Sequence, residues 1–376
     1  MAERCDRFSR LQARRSPGRQ APRRRRLIGL AVLVACACWA IFSCGCRRVD
    51  RPTEPVRRYP MHVVCTTGIV ADLVRNVGGE HIRVSTLMGP GVDPHLYKPT
   101  PGDVHRLTAA DAVFYSGLHL EGRLADLLGR LDRWKPSTAV TQGLLDESSS
   151  AGHGGHAQNS PPTDIAAESD DASCAAVARS GTAGGTVRRS RLIEHDGVHD
   201  PHVWMDVSLW ADCALTVAAA LARLDPERAD EYRQNAAAYR ASLLDLHERC
   251  RRMLAAIPAR RRVLVTAHDA FAYFGAAYDV EVRALQGIST VAEADLGNVN
   301  QIIDLLVERE IKAVFVESSV PVKNIRALIE GCAARGHRVV IGGELLSDSL
   351  GPPGSRGETY RGMIEYNVET IVHALK

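Results

Sequence analysis

The chain contains no Cys-x-x-Cys pair and no His-Glu-x-x-His segment. The first absence removes the spacing of a thiolate zinc site. The second removes the helix-borne motif of a zinc hydrolase. Of ten cysteines, five (Cys5, Cys36, Cys38, Cys44, Cys46) crowd the head, and Cys65, Cys174, Cys213, Cys250 and Cys332 are widely spaced, so no disulfide framework is expected. Nothing in the composition points to disorder. With 376 residues, 45% hydrophobic and 24% charged, the chain is long enough for two domains with cores of their own.

The formal net charge of +3 is misleading, because arginines such as Arg14, Arg15, Arg19 and Arg23 to Arg26 inflate it. The rest of the chain is expected to be acidic. A basic head suits a nucleic-acid arm, but here it runs straight into Leu27 to Ser43, seventeen residues without a charge. Basic then apolar is the order of an export signal, and the run is slightly short for a membrane span. It ends at Ser43-Cys44-Gly45-Cys46, which resembles a bacterial lipobox, with Cys44 or Cys46 as the residue to be lipidated. The expectation is a signal peptide over 1–46, a polar linker over 47–59 and a domain held outside the cytoplasmic membrane. The alternative, an uncleaved anchor, tethers it on the same side. No nucleic-acid partner is expected.

Apolar β-rich runs at Met61 to Thr67, Val84 to Met88, Ala112 to Ser116 and Thr138 to Thr141 alternate with helical periodicity. A second set follows at Val263 to Ala267, Glu281 to Leu285, Ala313 to Glu317 and Arg338 to Ile341. Four strands alternating with helices, twice, predict an α/β protein of two similar lobes, 60–224 and 259–376. Each would be a four-stranded parallel sheet flanked by helices. Residues 225–258 predict one long rigid helix between them, opened by Asp225 as cap and Pro226 at its first position. Its apolar stripe is Tyr232, Tyr239, Leu243, Leu246, Cys250, Met253 and Ile257, and such a helix would resist wide hinge motion. Residues 146–198 are rich in Gly, Ser and Pro and predict a flexible surface loop. Its histidines, among them His153, His156, His195 and His199, read either as metal collectors or as solvated loop residues.

The tripeptide Asp-Pro-His occurs twice, at Asp93-Pro94-His95 and Asp200-Pro201-His202. Proline fixes its own φ and pushes the preceding residue out of the helical region, so each imidazole leaves a stiff, extended turn. His268 follows a buried strand, and Asp348 follows another. Ligands of open α/β sheets gather at the carboxyl ends of strands, where His95, His268 and Asp348 fall. Three imidazoles and a carboxylate make a closed set for a borderline divalent ion such as Zn2+. Metal-bound histidines usually give their other ring N–H to a carboxylate or carbonyl, which makes Asp93, Asp200, Asp206, Asp269 and Glu317 the candidates for that role.

Five segments occur in order: Gly89-Pro90-Gly91-Val92-Asp93-Pro94-His95-Leu96-Tyr97, Gly117-Leu118-His119-Leu120-Glu121, Asp200-Pro201-His202-Val203-Trp204-Met205-Asp206, Thr266-Ala267-His268-Asp269-Ala270-Phe271-Ala272-Tyr273-Phe274 and Gly287-Ile288-Ser289-Thr290. Over residues 60–376 the chain resembles the zinc- and manganese-binding lipoproteins that feed bacterial ABC importers, particularly the TroA-like branch. The resemblance implies one Zn2+ or Mn2+ in the cleft, with His95 and His202 from the first lobe and His268 and Asp348 from the second. It also implies delivery to a membrane permease and its ATPase by a monomeric protein that catalyses nothing. Some manganese-binding members carry glutamate in place of His268, so the nitrogen-rich set leans toward zinc, slightly. His119 is expected near the cleft without binding metal. Two rival readings are a surface adhesin with a structural metal and, more remotely, a zinc hydrolase, which would need a metal position open to water.

Overall fold

In the computed structural model the described residues are 59–145, 192–195, 197–291 and 295–376. The export signal with Cys44 and Cys46, the linker, and the loop histidines His153 and His156 lie outside them.

The first lobe is built on strands β1 (Met61–Cys65), β2 (Ile82–Thr86), β3 (Ala112–Tyr115) and β4 (Ser137–Ala139), parallel and in the order β2-β1-β3-β4. Side chains alternate across a strand, and both faces of this sheet are covered. Val63, Cys65, Ala112 and Phe114 pack into the main core, while Val64 and Val113 point the other way into a smaller one with Leu107, Leu124 and Leu128. Helices α1 (Gly68–Gly78), α2 (Pro101–Ala109) and α3 (Ala125–Leu131) flank the sheet. Their starts follow local chemistry. The Thr67 hydroxyl accepts the Val70 N–H at 3.3 Å, and Thr100 forms a capping box with Asp103 around Pro101.

Strands β5 (Glu194–His195) and β6 (Val198–His199) pair antiparallel. This small hairpin occupies the end of the segment expected to be a loop. Ile193 anchors it, its N–H donating to the Tyr273 hydroxyl at 3.1 Å. Helix α4 (Val207–Leu224) is a core helix, with Trp210, Cys213, Ala214 and Val217 fully buried.

A 3-10 turn, Pro226–Arg228, then leads into α5 (Ala229–Ala255), 27 residues long. At 1.5 Å per residue it spans about 40 Å. Asp225 does not cap backbone groups as expected. Its carboxylate takes the Tyr232 hydroxyl at 2.9 Å and the Arg228 guanidinium at 3.1 Å, and hydrogen bonds from Tyr59, Tyr232 and Arg228 hold Asp225 below the ordinary carboxylate range although burial opposes this. Of the expected stripe, Met253 is exposed and Leu254 is buried in its place, because a four-residue step from Cys250 stays on the inner face. The amino half of α5 is tied to the first lobe: Tyr239 donates to Asp72 on α1 at 2.9 Å, and Arg240 bonds Asp212 on α4 at 2.9 Å. The carboxyl half is tied to the second, through His247 with Tyr278 and Arg249 with Glu365.

The second lobe carries β7 (Val263–Thr266) parallel to β8 (Glu281–Ala284), and β9 (Ala313–Glu317) parallel to β10 (Val340–Leu345). The four strands thus form two hydrogen-bonded pairs, with β7 beside β9. Helices α6 (Ala272–Tyr278), α7 (Leu296–Glu308), α8 (Lys323–Ala334) and α9 (Tyr360–Leu375) complete the lobe. Strand β10 begins two residues later than its apolar run and is irregular between Ile341 and Gly343. Helix α9 presses on that point, where a Cβ on Gly342 would meet Ala374 at 2.7 Å.

Candidate metal centre

The repeated tripeptide folds the same way twice. At each copy the aspartate reaches past the proline to the backbone of the histidine: Asp93 Oδ1 accepts the His95 N–H at 2.8 Å and Asp200 Oδ1 accepts the His202 N–H at 2.9 Å. This is the side-chain turn that a short carboxylate makes two residues ahead. The second copy goes further, because Asp200 Oδ1 also lies 2.7 Å from His202 Nδ1. That contact fixes the Nδ1–H tautomer and leaves the Nε2 lone pair free.

His268 lies two residues beyond β7, and its loop is held by Glu317, the last residue of β9. Glu317 Oε1 accepts the Ala267 and His268 N–H groups at 2.8 and 2.9 Å, and Oε2 sits 2.6 Å from His268 Nδ1. Asp348 stands three residues beyond β10 in Ser347-Asp348-Ser349, with the Ser319 hydroxyl at 3.4 Å from Oδ2. The loop before His119 is braced by buried Glu121, whose Oε1 accepts the Ser116 N–H at 2.6 Å and the Thr66 hydroxyl at 2.8 Å. Gly122, at φ 43°, follows because a Cβ there would meet the His95 carbonyl oxygen at 2.7 Å.

These loops bring His95, His202, His268 and Asp348 together, one donor atom from each lying within 4.8 Å of the others. His95 Nε2 and His202 Nε2 are 3.2 Å apart. Asp348 oxygens lie 3.3 Å from His268 Nε2, 3.6 Å from His202 Nε2 and 4.0 Å from His95 Nε2. Tetrahedral zinc with bonds near 2.0–2.1 Å separates its ligand atoms by about 3.3 Å, so the group is close to the size of such a shell. All four are buried, His95 least so at 7% exposure. Asp348 Oδ1 and His268 Nε2 are buried without a hydrogen bond, two unsatisfied atoms facing the position a cation would take.

The electrostatics of the four differ from one to the next. Burial pushes the His95 imidazole down to about 4, outweighing the pull of Asp348, so it is neutral with a free lone pair at physiological pH. Burial would lower His268 as well, but Asp348 and Glu317 together hold it well above the ordinary histidine range. Asp348 stays well below the usual carboxylate range despite its burial, because His268, His202 and His95 surround it.

The expected supporting carboxylates divide. Asp93, Asp200 and Glu317 hold the loops of His95, His202 and His268, whereas Asp206 does not touch the group. The 3-10 turn Val203–Met205 carries Asp206 away to cap α4, where Oδ1 accepts the Ser208 N–H at 2.9 Å. Among the described residues no hydrogen bond joins Asp269 to the His202 or His268 imidazole, and burial and the Asp200 charge push its carboxyl up. His119 is exposed and lines a cavity of about 610 Å3 with His95 and His199, but is not one of the four converging residues. Sequence reasoning missed the bonds across the lobes: Trp204 Nε1–H to the Ser347 carbonyl at 2.8 Å, the Tyr273 hydroxyl to the Asp200 carbonyl at 3.0 Å, and the Thr290 hydroxyl to Asp93 Oδ2 at 2.6 Å. Trp204 and Thr290 fall inside the motif segments, which was the available signal.

Comparison with known proteins gives a consistent answer. The family model described as zinc-uptake complex component A periplasmic matches residues 63–374. The manganese-binding lipoprotein MntA of Bacillus subtilis is 39% identical over 350 residues, covering 93% of this chain and 99% of that protein. The zinc-binding protein TroA of Treponema pallidum is 38% identical over 313 residues, covering 83% and 88%. The solved structure of the periplasmic TroA superposes with a TM-score of 0.69 over 84% of this chain and 99% of that one. The chain therefore belongs to this family of periplasmic zinc-uptake components, the solute-binding proteins of metal ABC transporters.

Proposed function

We propose that His95, His202, His268 and Asp348 hold a single divalent transition metal, Zn2+ or Mn2+, as cargo, and that the protein hands it to a membrane permease driven by an ATPase. The observation that carries this reading is the group of four buried donors from loops of both lobes within 4.8 Å of one another. Binding needs three lone pairs and one negative charge. Asp200 and Glu317 keep protons on Nδ1 of His202 and His268, which turns both Nε2 atoms toward the ion. Burial keeps the His95 imidazole neutral at neutral pH, so that one of its ring nitrogens offers a lone pair. Asp348 supplies the charge. No bond of a substrate is made or broken.

Three nitrogens and one carboxylate lean toward zinc without refusing manganese. The two similar relatives do not divide the choice, one being named for manganese at 39% identity and the other for zinc at 38%. The protein works outside the cytoplasmic membrane, and we infer a lipid anchor on Cys44 or Cys46, a monomeric state, and two lobes at 60–224 and 259–376 linked by residues 225–258. Uptake, the activity that names the family, does not favour the surface-adhesin reading.

Equilibrium dialysis with Zn2+ and Mn2+ on single variants tests the assignment. His95→Ala, His202→Ala, His268→Ala and Asp348→Ala are each expected to lose most binding, and His119→Ala to keep it. Near-normal binding by any of the first four removes that residue from the site.

A further inference from the structure

Residues 286–291 run from one metal-side loop to the other. At their root the Gln286 N–H donates to the Ala267 carbonyl at 3.0 Å and the Asp269 N–H to the Gly287 carbonyl at 3.4 Å, on either side of His268. At their far end the Thr290 hydroxyl donates to Asp93 Oδ2 at 2.6 Å, while the other oxygen of that carboxylate holds the His95 backbone at 2.8 Å. The segment is a strap from the second lobe, latched to the first beside a metal-binding histidine. A second bond between the lobes, from the Gly91 N–H to the Ser349 hydroxyl at 2.9 Å, pins the start of the same loop next to Asp348.

The strap also divides two cavities. Ile288, Ser289 and Val291 line the one of about 610 Å3 that contains His95 and Leu96. Gln286 and Thr290 line one of about 500 Å3 on the other side, with Asp93 and Leu96. Of the four proposed ligands, His95 at 7% exposure has the largest solvent contact, against 0–1% for the others, so the shortest way out for a bound ion passes His95. Swinging the strap away would join the cavities at that point.

We propose that residues 286–291 are the gate of the metal site and that Thr290, through Asp93, is the latch that keeps it shut. This rests on the metal-binding reading above. Thr290 acts through Asp93 and touches no ion, so it is a positioning residue. Its bond to a charged acceptor is of the strong kind, and losing it should increase the rate of opening between about tenfold and a hundredfold.

The test uses the full chain loaded with Zn2+, with release into excess EDTA and uptake from buffered Zn2+ both followed in time. Thr290→Val removes the hydroxyl at nearly constant shape, and Thr290→Ser keeps it. A gate predicts that Thr290→Val accelerates release and uptake together, so that the dissociation constant changes less than the release rate, and that Thr290→Ser stays near the unaltered protein. In a cycle with Asp93→Asn the two effects should not add, since both break one bond. The gate is overturned if Thr290→Val releases zinc at the unaltered rate. It is equally overturned if uptake is unchanged and affinity falls by the whole factor, or if Thr290→Ser behaves like Thr290→Val. Absence of zinc binding by the unaltered chain would instead remove the metal-site reading, and the gate with it.

Discussion

Replacing Glu317 with glutamine tests how far the metal site depends on a group that would never touch the ion. The carboxylate accepts two backbone N–H groups through Oε1, at 2.8 and 2.9 Å, and places Oε2 beside His268 Nδ1, at 2.6 Å. Glutamine matches its shape. Its carbonyl keeps the backbone bonds, and its NH2 group then faces Nδ1. Once His268 binds a metal through Nε2, Nδ1 must carry the proton, and a donor meets a donor. Turning the amide over relieves this and sacrifices both backbone bonds. Removing such a supporting partner costs between about tenfold and a hundredfold in metal affinity, or about 1.4–2.7 kcal/mol. The double conflict places Glu317→Gln toward the upper end. Competition with a chromophoric chelator gives the dissociation constant, and melts of metal-free protein report whether the fold has suffered. Affinity within about threefold of the unaltered protein, with the metal-free melt unchanged, would refute the role given to Glu317.

Three further outcomes follow from the structure. Asp103 is held down at about 2, since burial is outweighed by hydrogen bonds from the Thr100 backbone, Tyr97, the Thr100 hydroxyl and Arg106. A depressed carboxylate stabilises the fold above its unfolded value near 4 and loses that contribution as pH falls toward 2. Asp103→Asn should therefore cost about 2 kcal/mol in urea unfolding at pH 7, with the difference closing in acid. Trp204→Phe deletes the Nε1–H bond to the Ser347 carbonyl and leaves a buried acceptor unpaired, which should cost about 1–3 kcal/mol in the same assay and weaken metal binding, because Asp348 is the next residue. Small-angle scattering with and without metal should give nearly equal radii of gyration, because α5 is tied to both lobes; a large decrease on loading would contradict a stiff connection.

Much of this was legible in the chain because the informative signals are local. Proline beside aspartate sets the geometry of His95 and His202 within three residues, and apolar runs alternating with helical periodicity reveal both sets of strands. His268 and Asp348 were found because strand ends are readable and ligands gather there. What stayed hidden depends on distant partners or on a single step of backbone. Thr290 and Asp93 are 197 residues apart, and only folding brings them to 2.6 Å. Asp206 was drawn toward His202 by closeness in sequence, yet one 3-10 turn sends it to the start of α4. Met253 and Leu254 differ by one position and about 100° around the helix, which the apolar pattern alone did not resolve. The hairpin Glu194–His199 was hidden by its polar composition, its anchor being the tyrosine hydroxyl of Tyr273 in another lobe.

The most direct test of the central claim is a crystal of the zinc-loaded protein measured on both sides of the zinc absorption edge. The expected result is one anomalous peak per chain, about 2.0–2.2 Å from Nε2 of His95, His202 and His268 and from a carboxylate oxygen of Asp348. A peak lying elsewhere, or one that leaves any of the four more than about 3 Å away, would contradict it.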